Sequence, residues 1–502
     1  MRLVELCEGI EIPKECENLE ISGVKTDSRR IEKGDLFICI RGLHVDGHSF
    51  VREAVEKGAA AVLVCEDYEE QHDGVLLLKS ENTRRAAAFI YNAWYGKPTD
   101  RLHVVGVTGT NGKTSVTFML RAIFESALYR CGLIGTVSCY SAGRRLSVPS
   151  EDPLANMTTP DPEALYRMLA EMVKDGVEYV FMEVTSHALA LSKVDAIHFD
   201  AAVFTNLTPE HLDFHGDMEA YFETKKRLFR MCDSAVLNLD DAYGARLRDT
   251  LSCRLVTCSA MGGPADYMAT QICDRGVDGN EYRLLGPQKR FSVRTPIPGA
   301  FSVINSLQAA ACASMMGISA SVIMTALGAL SGIDGRMERV RLGVLADYSV
   351  FIDYAHTPDA LENLLRTARG FCQKEERIVL LFGCGGDRDR SKRETMGRLA
   401  AQYADFIILT SDNSRGEEPM DIICEIQKGL LGSNYVIIPE RRRAIEFAVR
   451  EAHEGDVILL AGKGHEEYEI DRAGKRFFSE KQIAAEAAGK YQTERKKIQH
   501  EN

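Results

Sequence analysis

The sequence has no excess of basic residues, no long apolar run and no closely spaced cysteine pair. Its formal net charge is −12, which argues against a nucleic-acid binder, since such proteins present a basic face. Local basic pockets for anionic substrates stay open, because net charge says little about single sites. No stretch approaches the roughly 18 apolar residues needed to span a bilayer, so no membrane insertion is expected. The segment Met1–Ile10 carries Glu5 and Glu8 and has no apolar core of the signal-peptide kind. None of the 14 cysteines stands in a C-x-x-C pair, and Cys39, Cys65 and Cys312 lie inside apolar runs. Reduced, mostly buried thiols in a cytoplasmic protein are therefore expected, not a cysteine-built zinc site. Internal repeats and low-complexity tracts are also lacking.

What is present is the composition of an ordinary globular protein, with 45% hydrophobic and 27% charged residues in 502. At roughly 100–200 residues per domain this length predicts about three domains. The first hundred residues read as a small α/β unit. Strands are expected at Asp35–Ile40 and Ala60–Val64, with helices over His48–Gly58 and Thr83–Trp94, the second capped by Asn82. Gly96-Lys97-Pro98 marks a first boundary. Beyond it come an apolar strand (Leu102–Val107), a helix over Pro162–Val173 and two near-continuous apolar strands, Tyr179–Val184 and Phe199–Asn206. Such strands suit a sheet covered on both faces. A second boundary falls near Gly335. After it, strands at Ser349–Tyr354, Arg377–Cys384, Phe406–Thr410, Tyr435–Ile438 and Asp456–Ala461 alternate with helical stretches, the pattern of a doubly wound α/β domain. The charged end, Thr493–Asn502, is expected to fray.

Three clusters carry chemistry. Gly109-Thr110-Asn111-Gly112-Lys113-Thr114 follows a strand and opens a helix. Glycines there let backbone N–H groups reach phosphate oxygens, and the helix N-terminus adds positive potential. Lys113 can reach the outer phosphates and the Thr114 hydroxyl can ligate Mg2+. With Val107 where the usual first Gly would stand, the loop is G-x-x-G-K-T, two residues shorter than that of a GTPase or motor. Glu183 ends a strand, on the edge where open α/β sheets bind ligands, and can hold Mg2+ through oxygen. On this segment alone it can equally be a solvated strand-end carboxylate. His211 and His215 form an i, i+4 pair; a zinc site and plain capping or loop hydrogen bonds are both open. Lys225 and Lys226 lie on a helix expected over Met218–Phe229, where a lysine is usually a solvated charge.

Taken together these segments resemble the Mur ligase family, and within it the MurE branch. The likeness rests on Thr26-Asp-Ser-Arg29, Thr108-Gly-Thr-Asn-Gly-Lys-Thr114, Thr158-Thr-Pro160, Met182-Glu-Val-Thr-Ser-His-Ala-Leu189 and Asn206-Leu-Thr-Pro-Glu-His-Leu-Asp213. It continues through Gly335-Arg-Met-Glu338, Asp353-Tyr-Ala-His-Thr-Pro358, Asp412-Asn-Ser-Arg415 and Gly462-Lys-Gly-His-Glu466. The resemblance implies an α/β, three-domain Mur ligase architecture. Residues 1–97 would bind the UDP end of the substrate, 98–336 would form a central P-loop ATP-binding domain, and 337–502 a Rossmann-like domain receiving the amino acid. It implies an ATP- and Mg2+-dependent, cytoplasmic ligase of peptidoglycan precursor synthesis, for which a working monomer is the simplest expectation. Such an enzyme adds a diamino acid to UDP-MurNAc-L-Ala-D-Glu through an acyl phosphate.

By the same resemblance, ATP is held by Gly109, Thr110, Asn111, Gly112, Lys113, Thr114, Ser115, Asn305, Arg336 and Asp353. Lys113, Lys225 and His211 are catalytic, with Lys225 carrying a CO2-derived carbamate. Thr114, Glu183, His211 and that carbamate hold the metal. The UDP-muramyl dipeptide meets Ser28, His44, Val45, Asp46, Thr158, Thr159, Ser186 and Lys193. The diamino acid meets Arg388, Asp412, Asn413, Arg415, Gly462 and Glu466. Diaminopimelate has a second carboxylate that calls for a bidentate arginine, so the retained Arg415 favours it over L-lysine. Three departures from the family pattern stand out: Ser414 for a proline, Asp334 for a proline, and Leu191-Ser192-Lys193 in the muramyl-peptide contact. The alternatives are a lysine-adding MurE, a sister ligase of the MurF or folylpolyglutamate synthase type, a regulator that has lost ligase chemistry, and a P-loop phosphotransferase.

Overall fold

The computed structural model describes residues 1–42, 45–146, 158–287, 289–330, 332–343, 346–372 and 376–501. The chain divides into two compact units, Met1–Ser259 with Gln308–Ser319, and Ala260–Leu307 with Ala320–Asn502.

In the first unit, Val24–Lys25, Leu36–Ile38, Ala61–Cys65 and Leu76–Ser80 pair in that order as a parallel sheet. The helix Thr83–Trp94 forms as its sequence predicts, and the Asn82 side chain accepts from the Arg85 N–H. The helix expected over His48–Gly58 is shorter. Asp46 caps a 3-10 turn at Gly47–Phe50, and the α-helix runs only over Val51–Glu56.

A second sheet in this unit has the order Arg254–Ser259, Cys232–Asn238, Phe199–Phe204, His103–Thr108, Tyr179–Glu183, Cys131–Ile134. These strands are parallel, and Cys139–Ser141 and Arg144–Leu146 extend the sheet antiparallel. The centre of the sheet is apolar on both faces: Val104, Val105, Phe181, Met182, Ala202 and Val203 are fully buried, as the unbroken apolar runs require. The chain leaves His103–Thr108 toward one side of the sheet and later fills the other with Phe199–Phe204 and its neighbours. Such a reversal opens a crevice at the C-terminal strand ends, and it puts Thr108, Glu183 and Phe204 on one edge.

The second unit holds an antiparallel meander, Tyr267–Asp274, Asn280–Gly286 and Lys289–Thr295. It also holds a sheet ordered Glu338–Arg339, Ser349–Asp353, Val457–Ala461, Ile378–Phe382, Phe406–Leu409, Tyr435–Ile437. All but the first strand are parallel, which is the doubly wound arrangement expected from the alternation. The terminal helix runs over Glu480–Glu501, so the stretch expected to fray from Thr493 continues a helix instead. All 14 cysteines are free, and eight of them are buried. Among the described residues no helix is long and apolar enough to cross a membrane.

Candidate active site

The phosphate loop is shaped by two glycines and by the strand beside it. Gly109 sits at φ 146°, and a Cβ there would overlap Thr205 Oγ1. Gly112, at φ 87°, precedes the helix Lys113–Ser126. Residues after Phe199–Phe204 pin the loop. The Thr110 and Asn111 N–H groups donate to Asn206 O and Oδ1 (both 2.9 Å), and Thr205 Oγ1 donates to Asn111 O (2.6 Å). The first helical turn still leaves N–H donors without intrahelical partners, an arrangement that suits phosphate oxygens.

Glu183 is fully buried at the mouth of this loop. Its Oε1 accepts from Thr114 Oγ1 and from the Thr136 N–H, and its Oε2 from Thr136 Oγ1, each at 3.0 Å. Thr136 Oγ1 lies 2.9 Å from Thr158 Oγ1, and Thr159 Oγ1 donates to Glu183 O (2.9 Å). The candidate nucleotide, metal and muramyl-peptide residues are thus joined here by hydrogen bonds. Thr136 was not singled out from the sequence. Its only signal is the glycine before it, since a Cβ at Gly135 would overlap the Glu183 carboxylate.

Lys225 is also buried, on the helix Met218–Lys226, which gives way to a 3-10 turn at Arg227 and so ends before the expected Phe229. Its Nζ donates to Gly109 O at 2.9 Å and lies over the Tyr221 ring. Burial, with nearby Lys113 adding to it, pushes its pKa well down. Lys113 Nζ folds onto Gly109 O (3.0 Å) and Thr110 O (2.7 Å).

His211 adopts a left-handed backbone at φ 56° and packs edge-on against His187 (4.7 Å between ring centres), with Glu210 Oε2 3.8 Å from its Nε2. His215 Nε2 lies 2.9 Å from Ser186 Oγ. Burial and the two neighbouring imidazoles lower the His187 pKa to about 4. Among the described residues no three His, Cys, Asp or Glu side chains form a metal cluster. The donors gathered at Glu183 are oxygens, which suits Mg2+: it takes one or two carboxylates and completes its shell with water and substrate phosphates.

Three of the other first-unit candidates have structural partners. Ser28 Oγ donates to Glu53 (2.9 Å), Asp46 accepts from the His48 N–H (3.0 Å), Val45 is exposed, and Lys193 pairs with Asp161 (2.7 Å). His44 lies outside the described residues.

The second unit carries the remaining candidates. Asn305 is buried in the helix Ala300–Met315. Asp353 accepts from the Met337 and Ala355 N–H groups (2.8 and 2.9 Å). Burial raises its pKa against the pull of Arg336, whose guanidinium lies over Tyr354. Three loops leave the C-terminal ends of neighbouring parallel strands and bring Arg388, Asp412–Arg415 and Gly462–Glu466 together. Asn413 is the hub. Its Oδ1 accepts from Lys463 Nζ (2.9 Å) and the Ile470 N–H (3.0 Å), and its Nδ2 donates to Glu466 (2.8 Å). Burial works against charge on Asp412, but Lys463 and Arg441 outweigh it and hold the carboxyl below its ordinary value. Burial and Asp412 push Glu466 up. Arg415, at φ 49°, donates to Gly386 O (3.0 Å) and Asn413 O (3.2 Å). The sequence does not single out Lys463 or Arg441, although Lys463 stands inside Gly462-Lys-Gly-His-Glu466.

Family models match in three consecutive stretches: the Mur ligase family catalytic domain over 20–95, the Mur ligase middle domain over 107–313, and the Mur ligase glutamate ligase domain over 335–464. A relative from Clostridium tetani is 39% identical over 490 residues, 97% of this chain and 99% of its own. The chain belongs to the Mur ligase family. One from Caldanaerobacter subterraneus subsp. tengcongensis is 42% identical over 493 residues, 97% of this chain and 98% of its own. Both relatives carry the name UDP-N-acetylmuramoyl-L-alanyl-D-glutamate--2,6-diaminopimelate ligase. A solved structure of the same description superposes with a TM-score of 0.69 at 30% identity, covering 97% of this chain and 99% of that one. The three-domain Mur ligase fold follows, and Mur ligases are ATP-dependent and form amide bonds.

Proposed function

We propose that this Mur ligase extends UDP-MurNAc-L-Ala-D-Glu by meso-diaminopimelate, in the cytoplasm and as a monomer, with domains at 1–97, 98–336 and 337–502. The observation that carries the reading is the likeness to ligases of that name over essentially the whole chain.

A carboxylate is a poor electrophile, so ATP first transfers its terminal phosphoryl group to the substrate carboxylate, giving an acyl phosphate and ADP. The amine of the diamino acid then attacks the acyl carbon, loses a proton, and expels phosphate as the amide forms. The phosphate loop holds the nucleotide, and Lys113 swings from its loop carbonyls to the transferred phosphoryl, where it offsets developing charge. Thr114 and Glu183, with His211 and Lys225 as a carbamate, would hold Mg2+, which would neutralise charge on the phosphate oxygens. Carbamate formation needs a neutral amine, which adds CO2 and releases a proton; burial of Lys225 favours that neutral form. Asn305, Arg336 and Asp353 serve the nucleotide. Ser28, the 44–46 turn, Thr158, Thr159, Ser186 and Lys193 serve the UDP-muramyl peptide. Arg415 receives the far carboxylate of diaminopimelate with Arg388 as a second contact, Gly462 and Glu466 meet its amine end, and Asp412 and Asn413 complete the diaminopimelate site.

The test is ADP release with UDP-MurNAc-L-Ala-D-Glu, ATP and Mg2+, comparing meso-diaminopimelate, L-lysine and no amine. Stimulation by diaminopimelate with a tripeptide product supports the reading. Preference for lysine sinks the specificity, and absence of amine-dependent turnover sinks the reaction.

A further inference from the structure

The two loops that carry Arg388 and Arg415 are fastened to each other by one carboxylate, that of Glu417. Glu417 Oε1 accepts from the Asp387 N–H (2.6 Å) and from Arg393 Nη2 (2.9 Å). Its Oε2 accepts from Arg393 Nη1 (3.0 Å) and Arg390 Nη2 (2.8 Å). Arg393, fully buried on the helix Ser391–Tyr403, also donates to Gly385 O (3.2 Å). The loops close further through the Gly386 N–H on Asn413 O and the Gly416 N–H on Asp387 Oδ2 (both 2.9 Å). They leave no room for a side chain at Gly386, where a Cβ would overlap Ser414 O.

This arrangement sorts the charges. Glu417 takes Arg390 and Arg393. Among the described residues, Arg388 and Arg415 donate only to backbone carbonyls. An arginine already paired to a protein carboxylate has less to offer an incoming one, whereas a guanidinium held by carbonyls keeps its charge uncompensated.

We infer that Glu417, with Arg393, is a positioning and specificity-determining pair: it fixes the spacing of Arg388 and Arg415 and keeps both free for the distal carboxylate of the diamino acid. This rests on the diaminopimelate reading above and adds residues that touch no substrate. It also explains how Ser414 is tolerated, since the loop is fixed by Glu417 and not by proline stiffness.

The test compares Glu417→Gln with Glu425→Gln in the full-length protein. Glu425 shares Arg393 (2.8 Å) but does not bridge the two loops. Steady-state ADP release is measured with each substrate varied, alongside thermal melting. Glu417→Gln is expected to raise KM for diaminopimelate at least ~10-fold, the scale of a misplaced binding group, with KM for ATP and for UDP-MurNAc-L-Ala-D-Glu unchanged. Glu425→Gln is expected to leave all three alone. A lowered melting temperature with diaminopimelate KM unchanged overturns the inference, as does an equal KM rise in both variants. If Glu417→Gln does not fold, Glu417→Asp, which keeps the charge but shortens its reach, carries the same expectation. Failure of diaminopimelate to stimulate the unaltered protein identifies the underlying reading as the fault.

Discussion

Lys113 and Lys225 donate to the same carbonyl oxygen, that of Gly109, at 3.0 and 2.9 Å. Two ammonium groups on one acceptor repel each other, and burial together with that repulsion pushes the Lys225 pKa well down. A carbamate on Lys225 would turn that repulsion into attraction and would supply an anion able to hold Mg2+. Activity in CO2-depleted buffer is therefore expected to fall and to recover on adding bicarbonate. Lys225→Ala is expected to lose at least ~100-fold in kcat, as when one charge-stabilising group is removed, and bicarbonate is not expected to rescue it. A carbamate carbon signal from labelled CO2, absent in the variant, checks the assignment directly.

Much of this was legible in the sequence, because local signals carry it. Asn82 caps Thr83–Trp94 as read, and the strand–glycine–lysine pattern places the phosphate loop. Partnerships distant in the chain were not legible. Thr136 meets Glu183 forty-seven residues away, and the glycine before it is its only local signal. Arg441 opens an Arg-Arg-Arg run that reads as solvated charge, yet its guanidinium is buried against Ser411 O, Ala461 O and Glu480 (3.0, 2.8 and 2.8 Å). Arg393 is hidden the same way. Helix ends moved where a cap elsewhere competes, as Asp46 does before Val51. The end of the chain stayed helical because Ile483, Ala484 and Ala488 anchor its first turns in the core of the second unit.

The Glu183 carboxylate is held by three donors with no room behind it. Gly135→Ala puts a methyl group against Glu183 Oε1 and is expected to lower kcat while leaving diaminopimelate KM unchanged. Glu183→Gln keeps the shape and removes the charge, so kcat is expected to fall roughly 100-fold or more, with a higher Mg2+ concentration needed for half-maximal rate. Unchanged Mg2+ dependence in both variants would remove Glu183 from the metal site.

Arg415 is expected to set the choice of amino acid. Arg415→Met retains most of the apolar stem and removes the fork that meets a carboxylate. The loss is that of a charge-assisted hydrogen bond, about 1.5–3 kcal/mol, or roughly 10–150-fold in kcat/KM for diaminopimelate. L-Lysine has no distal carboxylate, so its kcat/KM is expected to change little. Equal losses for both amines would mean that Arg415 acts on the fold and not on specificity.

The Glu417–Arg393 pair also predicts a pH dependence of stability. The Arg393 hydrogen bonds, helped by the Asp387 N–H, pull the Glu417 carboxyl from an ordinary 4.5 to about 2, against the cost of burial. A carboxyl whose folded-state pKa lies below its unfolded value binds fewer protons when folded, so its stabilisation is complete above pH 4.5 and is lost as pH falls toward 2. Denaturant midpoints of the unaltered protein and Glu417→Gln are therefore expected to differ by a constant amount near neutral pH. They should converge in acid, where the unaltered carboxyl is protonated and resembles the amide. A gap that persists undiminished below pH 3 would show that ionisation of Glu417 contributes nothing, and that the glutamine fails for reasons of shape alone.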